Sequence, residues 1–135
     1  MATRTKKEFT SGVGRRRSSI ARARLYKGRG KSIVNDKPVG KYFPGIVQEK
    51  AWNKPFEVTK TEGKYWVSIK VTGGGKEGQL DAAVLGISRA LSASDESFRQ
   101  TLRKHDLLTR DSRIRERRKV GTGGKARRKK QSPKR

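Results

Sequence analysis

The sequence predicts an α+β fold, a two-layer sandwich with helices on one face of a mainly antiparallel, four-stranded sheet, followed by a long basic C-terminal tail. Residues 64–72 alternate in polarity as a half-buried strand does, with Tyr65, Val67, Ile69 and Val71 on one face. Residues 78–93 have the apolar spacing of an amphipathic helix, at Leu80, Ala83, Val84, Ile87, Ala90 and Leu91. Strands followed by helices favour this class of fold.

The N-terminal part of the domain is predicted to form two strands. Residues 14–26 alternate as a single strand, in which Arg16, Arg22 and Arg24 share one face. Gly28-Arg29-Gly30 predicts a turn, after which residues 31–35 pair back on the first strand as a hairpin.

The middle of the chain is predicted to be less regular, because Pro44 and Gly45 interrupt residues 38–52. We expect two short helical turns there, with four side chains packed inward, namely Tyr42, Phe43, Val47 and Trp52. A turn at residues 61–63 then joins a strand at residues 56–60 to the strand at residues 64–72.

A second helix is predicted over residues 95–104. Ser94 is the expected N-cap, and the acids in the first turn and bases in the last turn complement the helix dipole. Phe98 and Leu102 would anchor this helix on the core.

The C-terminus has no material for a core. Its last eighteen residues hold nine Lys or Arg, no acid and only Val120 and Ala126 as apolar residues. Ordering a backbone costs roughly 1–2 kcal/mol per residue, and this segment has almost no apolar surface to offset that cost. We therefore divide the chain into a flexible N-terminus (residues 1–12), a globular α+β domain (residues 13–106) and an extended basic tail (residues 107–135).

The net charge of +24, from 36 Lys or Arg against 12 acids, calls for an anionic partner, and nucleic acid is the first candidate. A membrane surface would require an amphipathic basic helix, which the tail lacks. The chain has no cysteine, which excludes disulfides and thiolate sites. It shows neither a signal-peptide pattern nor eighteen consecutive apolar residues, so we expect it to remain where it is made.

A basic run, Arg15-Arg16-Arg17-Ser18-Ser19, opens the first predicted strand, and Arg22 and Arg24 continue it. These charges could serve only to protect an edge strand from aggregation. Three adjacent arginines exceed that need, and planar guanidinium groups bind phosphates bidentately. The row therefore predicts binding to a phosphate backbone.

The glycine-rich segment Gly73-Gly74-Gly75-Lys76-Glu77-Gly78 fits the pattern G-x-G-x-x-G. A dinucleotide site also needs a β-α-β unit and a ribose-binding acid, but Asp95 and Glu96 at that spacing open a helix. The glycines could instead make a tight exit from the strand. A third interpretation is an anion site, because backbone amides at a helix N-terminus beside Lys76 can bind an RNA phosphate without a nucleotide cofactor.

The sequence offers no catalytic set. His105 is the only histidine, and no Ser-His-Asp combination or carboxylate pair stands out, so we expect no enzymatic activity, metal or cofactor. Trp66 lies on a polar strand face, where it could stack on a base or be partly buried under a helix.

Several segments, taken in chain order from about residue 12 to the C-terminus, resemble one family. They are Gly14-Arg15-Arg16-Arg17-Ser18-Ser19 with Ala21-Arg22, Tyr42-Phe43, Gly73-Gly74-Gly75 with Gly78-Gln79, Ile87-Ser88-Arg89-Ala90-Leu91, Leu108-Thr109-Arg110-Asp111-Ser112-Arg113, Glu116-Arg117-Arg118-Lys119, Ala126-Arg127-Arg128 and Lys134-Arg135. Together they resemble the small-subunit ribosomal protein family number nine, the universal S-nine family, in its bacterial and organellar form.

The resemblance implies a structural role in translation, within a cytoplasmic or organellar ribosome. It implies a ribosomal S-five domain-two-like fold bound to the 3′ head domain of small-subunit rRNA, beside neighbouring head proteins, with no membrane and no homo-oligomer. The tail would reach the anticodon stem-loop of the P-site tRNA through Lys134 and Arg135. The residues expected to bind rRNA are Arg15, Arg16, Arg17, Ser18, Ser19, Arg22, Arg24, Gly74, Gly75, Lys76, Arg110, Arg113, Arg117, Arg118, Lys119, Lys125, Arg127 and Arg128.

The tail departs from the family pattern at two places. The family has an aromatic residue after the tail Gln, whereas this chain has Gln131-Ser132-Pro133-Lys134-Arg135, and Pro133 removes a backbone donor and stiffens the tip. Gly121-Thr122-Gly123-Gly124 loosens the base of the tail. Without the resemblance, a general chromatin-like protein or RNA chaperone would explain the charge but would not need residues 73–78.

Overall fold

The computed structural model describes residues 9–111 and residue 113, which form a mixed α+β domain. The strands are β1 (Thr10–Arg16), β2 (Ser19–Lys27), β3 (Ile33–Val34), β4 (Lys37–Pro38) and β5 (Tyr65–Thr72), and the helices are α1 (Val39–Tyr42), α2 (Ile46–Val58), α3 (Lys76–Ser94) and α4 (Ser97–Lys104). The sheet order is β1-β2-β5-β3-β4. The α+β class is confirmed, but the expected four-stranded sheet is wrong, since there are five strands and β3 pairs with β5 in parallel.

The predicted single strand at residues 14–26 is in fact a hairpin. Strands β1 and β2 pair antiparallel across a two-residue turn, with Arg16 opposite Ser19, and Arg17 takes a positive φ of 53° in that turn. The turn shifts the alternation, so that even-numbered residues are buried in β1 and odd-numbered residues in β2. Arg16 therefore points to the inner face of the sheet, and the expectation that it shares a face with Arg22 and Arg24 is wrong.

The short strand β3 does not pair back on β2 as expected. Its partners are β4, which is antiparallel to it, and β5. Asn35 and Asp36 form the two-residue turn between β3 and β4, and both have positive φ, at 49° and 65°. These are the residue types that such a hairpin turn favours. The parallel pairing of β3 with β5 is possible because α1 and α2 supply the long crossover connection.

Two helical segments occupy the region of Pro44 and Gly45, as expected, but α2 is longer than predicted. It continues through Pro55 to Val58, so the predicted strand at residues 56–60 is wrong. Phe43 is buried and Trp52 is partly buried against the core, whereas Val47 is 76% exposed rather than packed inward.

Helix α2 ends in a left-handed turn that the sequence does not signal. Lys60 takes a positive φ of 55°, its amide donates to the Glu57 carbonyl, and the Thr61 amide donates to the Phe56 carbonyl. This pair of hydrogen bonds is a Schellman motif, in which glycine is the usual left-handed residue. With lysine at that position, the sequence carries no visible stop signal.

Strand β5 and helix α3 confirm the two strongest sequence patterns. The side chains of Val67, Ile69 and Val71 are buried, and α3 begins two residues earlier than predicted. Ser94 is the last residue of α3 and not the N-cap of α4. The Asp95 carboxylate has the capping role instead, accepting hydrogen bonds from the Ser97 amide (3.0 Å) and hydroxyl (2.9 Å). The hydrogen bond from the Ser97 amide, and then the one from the Ser97 hydroxyl, lower the pKa of Asp95 below its usual value.

Helix α3 packs unusually close to β1. A Cβ built on Gly14 would overlap the Ala82 carbonyl oxygen and lie 2.5 Å from the Gly86 amide nitrogen, and one on Gly12 would lie 2.6 Å from the Ala90 nitrogen. The two backbones therefore touch without intervening side chains. The remaining core is the small apolar cluster formed mainly by Ala21, Ala23, Leu25, Val34, Phe43, Phe56, Val67, Ile69, Val71, Ala82, Ala83, Ile87, Ala90, Leu91 and Leu102.

The predicted tail lies mostly outside the described residues, and so does the predicted N-terminal segment apart from its last four residues. The division at residues 12 and 106 stays a prediction. In the part of the chain that is described, no helix is both long and apolar enough to cross a membrane.

We expect Gly14→Ala to destabilise the domain by about 1–3 kcal/mol, because overpacking forces α3 away from β1. Gly40→Ala is the matched control. Gly40 lies in α1, nothing lies within 4 Å of its Cβ position, and alanine is the better helix former. Urea unfolding of both variants measures the difference, and equal stabilities would contradict the close packing.

Candidate nucleic-acid interface

The tip of the β1–β2 hairpin lies against the glycine-rich loop that leads into α3. The Ser19 hydroxyl donates a hydrogen bond of 3.0 Å to the Gly73 carbonyl, and it lies 3.0 Å from the position of a Cβ on Gly78. Ser19 is fully buried. The two segments, which are 54 residues apart in sequence, therefore form one continuous surface.

The conformation of the loop requires glycine at two positions. Gly73 and Gly74 have positive φ angles of 74° and 64°, and a Cβ on either residue would collide with Ser18 or Ser19. Gly75 differs, since its backbone is extended and nothing lies within 4 Å of its Cβ position. Gly78 is helical, so it matters for its closeness to Ser19 and not for an unusual φ.

Between these segments is an open cleft of about 330 Å³ at the N-terminus of α3. The first turn of the helix has no side-chain cap, and its amides have no partner within the helix. Aligned peptide dipoles place partial positive charge at such an end. The cleft is lined by Arg17, Ser18, Ser19, Gly74, Gly75, Lys76, Glu77 and Gly78, so two cations and two serines adjoin those amides, opposed by one carboxylate.

Lys76 is held in place at this cleft. Its ammonium nitrogen lies 3.5 Å from the centre of the Tyr42 ring and donates a hydrogen bond of 3.3 Å to the Tyr42 carbonyl. Such a cation–π contact contributes roughly 0.5–1 kcal/mol at an exposed site. The lysine is therefore oriented before any ligand binds.

Three residues not assigned by the sequence analysis hold the glycine loop. The Tyr42 hydroxyl donates to the Gln79 carbonyl oxygen at 2.7 Å, and the Gln79 amide group donates to the Gly73 carbonyl at 3.1 Å. The Asn35 amide group donates to the Tyr42 hydroxyl and, within β5, to the Val71 carbonyl. Tyr42 and Gln79 occur in the segments that carry the family resemblance, and no local pattern links either of them to the loop.

A second basic surface covers the outer face of the sheet, opposite α3. The strand register places Arg22 beside Lys70 and Arg24 beside Ser68, and Arg15 projects from β1 on the same side. All four cations are exposed. Strands β1, β2 and β5 contain no acidic residue, so no carboxylate within these strands competes for the guanidinium groups.

Trp66 lies at one end of this outer face, but its ring is already covered. Its ring stacks on Tyr26, with the ring centroids 4.3 Å apart. The Gly30 backbone also lies against the ring, since a Cβ built on Gly30 would be 2.7 Å from Trp66 Cδ1. Arg24 lies 4.9 Å from the centre of the Phe9 ring next to the stack. Trp66 is thus partly buried, by neighbours on its own face and not under a helix.

Arg16 occupies a different environment from the other predicted arginines. Its side chain is 11% exposed, and its guanidinium contacts the Asp111 carboxylate at 3.1 Å and the Asp81 carboxylate at 3.5 Å. The same group donates a hydrogen bond of 2.9 Å to the Arg113 carbonyl. Hydrogen bonds from the Arg113 side chain, and then from its amide, hold the pKa of Asp111 well below its usual range.

The predicted rRNA-binding residues thus fall into four groups. The hairpin tip and the helix N-terminus bring together Arg17, Ser18, Ser19, Gly74, Gly75 and Lys76, and the outer sheet face gathers Arg15, Arg22 and Arg24. The third group is at the end of the described chain, where Arg16 of β1 contacts Arg113, with Arg110 three residues before it in the sequence. The last group lies outside the described residues and consists of Arg117, Arg118, Lys119, Lys125, Arg127 and Arg128. The predicted tRNA-binding residues, Lys134 and Arg135, also lie outside them.

The dinucleotide interpretation of the glycine loop meets a structural obstacle. Within residues 9–111, no strand follows α3, so the loop is not part of the β-α-β unit that a dinucleotide fold needs. Among the same residues there is no group of His, Cys, Asp or Glu that could hold a metal ion.

Comparison with known proteins gives one consistent family. Residues 14–135 match the family model described as Ribosomal protein S9/S16. The chain is 48% identical over 117 residues to small ribosomal subunit protein uS9 of Solidesulfovibrio magneticus, covering 87% of this chain and 90% of that protein. It is 48% identical over 113 residues to uS9 of Ureaplasma parvum, covering 84% and 85%, and 44% identical over 118 residues to uS9 of Maridesulfovibrio salexigens, covering 87% and 91%.

We expect Gly74→Ala to destabilise the domain by about 1–3 kcal/mol, because alanine at positive φ costs roughly 1–2 kcal/mol and its methyl group meets the Ser19 hydroxyl. Gly75→Ala is the matched control, one residue away in open space, and should change stability by less than about 0.5 kcal/mol. Thermal and urea unfolding compare the two variants. Equal losses would mean that the loop is not constrained as described.

Proposed function

Because the chain belongs to the ribosomal protein S9 family, whose members are structural and not enzymatic, we propose that it is assembled into the small ribosomal subunit and contacts rRNA through two preformed surfaces of its domain. One surface is the cleft at the N-terminus of α3, and the other is the basic outer face of the sheet. Other ribosomal proteins are expected as its neighbours. The observation that carries the proposal is the joining of the hairpin tip to the glycine loop, which builds an anion site from backbone amides.

The cleft suits a backbone phosphate. Its amides and the Ser18 hydroxyl can donate hydrogen bonds to a phosphate, while Arg17 and Lys76 supply charge. Such groups bind a phosphate whatever the base, so they fix the position of the protein on RNA without reading its sequence. The ordering cost on binding is small, because the loop is already held by Ser19 and Gln79.

The outer face suits a run of phosphates. Three strands contribute positive charge to one exposed patch, which consists of Arg15, Arg22, Arg24 and Lys70. Each phosphate neutralised by such a cation releases counterions, so binding should weaken steeply with salt. Relief of the mutual repulsion within a chain of net charge +24 favours the same association.

We further propose that the rRNA partner is the 3′ head domain and that the tail reaches the anticodon stem-loop of the P-site tRNA. This finer proposal rests on the resemblance of the whole chain, including Lys134 and Arg135 at its end. The length of the tail supports it. From Gly121 to Arg135 an extended chain spans about 50 Å at ~3.3–3.6 Å per residue.

We expect Arg22→Glu with Arg24→Glu to impair incorporation into small subunits while leaving the isolated domain folded, because the variant places acids on the patch. The matched control is Lys50→Glu with Lys54→Glu, the same charge change at exposed positions of α2. Occupancy of subunits in sucrose gradients measures the effect. Equal incorporation of the two variants would remove the outer sheet face from the proposal.

Deleting Lys134 and Arg135 tests the tail separately. Assembly should survive, while the salt slope of P-site tRNA binding should flatten by roughly 1–2 units, at ~0.7–0.9 per phosphate contact. The affinity should fall by no more than about 1 kcal/mol per screened contact. Filter binding of tRNA to purified subunits over a salt series gives both values. If neither changes, the tail tip does not contact tRNA.

A further inference from the structure

Helix α4 ends in a way that returns the chain to the domain. Asp106 takes a positive φ of 56°, its amide donates to the Arg103 carbonyl, and the Leu107 amide donates to the Leu102 carbonyl. This is a second Schellman motif, and it brings Leu107 into the core beside Leu102. The reversal directs the following residues along the side of the domain toward β1.

Beyond this point the described residues offer little burial. Leu108 packs partly against the core, while Thr109 and Arg110 are exposed. The next contacts with the domain are those of Arg16, whose guanidinium reaches the Asp111 carboxylate and the Arg113 carbonyl. Arg16 and Arg113 are 97 residues apart in sequence.

The charges around Arg16 balance locally. Two cations, Arg16 and Arg113, meet two carboxylates, Asp81 and Asp111, the first from α3 and the second from the departing chain. Asp111 also accepts hydrogen bonds from the amide and side chain of Arg113, which hold these two residues together. Two of the chain's 12 acids are therefore used at one arginine.

We propose that Arg16 is a positioning residue that fixes where and in which direction the C-terminal segment leaves the domain, and that it is not a phosphate ligand. Its guanidinium is enclosed by carboxylates and a carbonyl, so binding a phosphate would require breaking these contacts. Buried guanidinium groups favour such multidentate partners, because the planar fork matches carboxylate and carbonyl oxygens.

By anchoring Arg113, Arg16 preorganises the C-terminal segment for RNA binding, a consequence that rests on the proposed function. With Arg113 anchored, the point from which the tail reaches RNA is fixed at Arg113 and not near Leu108. Loop-closure entropy changes slowly with length, so releasing five more residues weakens tail binding by less than about twofold from length alone. The larger effect is on the spread of directions that the tail samples.

The experiment measures that spread in the free, full-length protein. The chain has no native cysteine, so spin labels can be placed specifically through Lys104→Cys and Arg115→Cys, and double electron–electron resonance gives their distance distribution. For flexible chains the spread grows as ~5–6 Å times the square root of the residue number. Releasing the chain from Thr109 onward should therefore roughly double the width of the distribution in Arg16→Gln.

Three controls identify the cause. Arg15→Gln removes the adjacent, exposed arginine and should leave the width unchanged. A label pair at Lys70→Cys and Lys104→Cys lies within the domain and reports whether Arg16→Gln has disturbed the fold. If it has, Arg16→Lys is used instead, since it keeps the charge but loses the guanidinium fork, and it should broaden the tail distribution by an intermediate amount.

An unchanged tail distribution in Arg16→Gln, or in Arg16→Lys where the first variant disturbs the fold, would overturn the proposal. Binding of P-site tRNA to subunits carrying the same variant separates it from the proposed function. A broadened distribution with unchanged tRNA affinity supports the anchor and argues against tail contact with tRNA. A broadened distribution with weaker tRNA binding supports both.

Discussion

Helix α3 lies on β1 with no side chains between the two backbones at Gly12 and Gly14. This close packing sets the height of the helix above the sheet, and Arg89 strengthens it by donating a hydrogen bond of 2.8 Å to the Val13 carbonyl of the edge strand. The N-terminus of α3 is thereby brought level with the hairpin tip. Both the cleft and the hydrogen bond from Ser19 to Gly73 depend on that alignment.

The same packing places most cations of β1 and β2 on the outer face of the sheet and leaves Arg16 on the inner face. Mostly small residues face the helix from β1 and β2. The cations of these strands lie on the outer face, apart from Arg16 and from Lys27, which ends β2 near Asp95. Arg16 instead meets Asp81 and Asp111 at the edge of α3. A domain in a chain of net charge +24 tolerates its exposed cations because a phosphate partner can neutralise them, whereas a buried cation needs carboxylates of its own.

The sequence predicted the α+β class, β5, α3 and most of the basic residues of the two surfaces. Periodicity succeeds where a segment is long and half-buried, as in residues 64–72 and 78–93. It failed at Arg17, because the two-residue turn there contains no glycine, asparagine or proline to mark it. The polar and apolar residues still alternate across the turn, but the buried positions change from even-numbered to odd-numbered residues. It failed again at Lys60, where a left-handed lysine ends α2. The hydrogen bonds from Asn35 to Val71 and from Tyr42 to Gln79 could not be predicted, since they join residues 36 and 37 apart in sequence. The environment of Arg16 could not be predicted for the same reason, since Arg16 and Arg113 are 97 residues apart.

We propose that rRNA phosphates contact the α3 cleft and the outer sheet face. Crosslinking of lysines to rRNA in intact small subunits containing this protein tests it most directly, because Lys76 marks the cleft, Lys70 marks the sheet face, and Lys50 and Lys54 mark the exposed side of α2. The account predicts strong crosslinks from Lys76 and Lys70 and weak ones from the two α2 lysines. Crosslinks concentrated on α2, with none from Lys76 or Lys70, would contradict it.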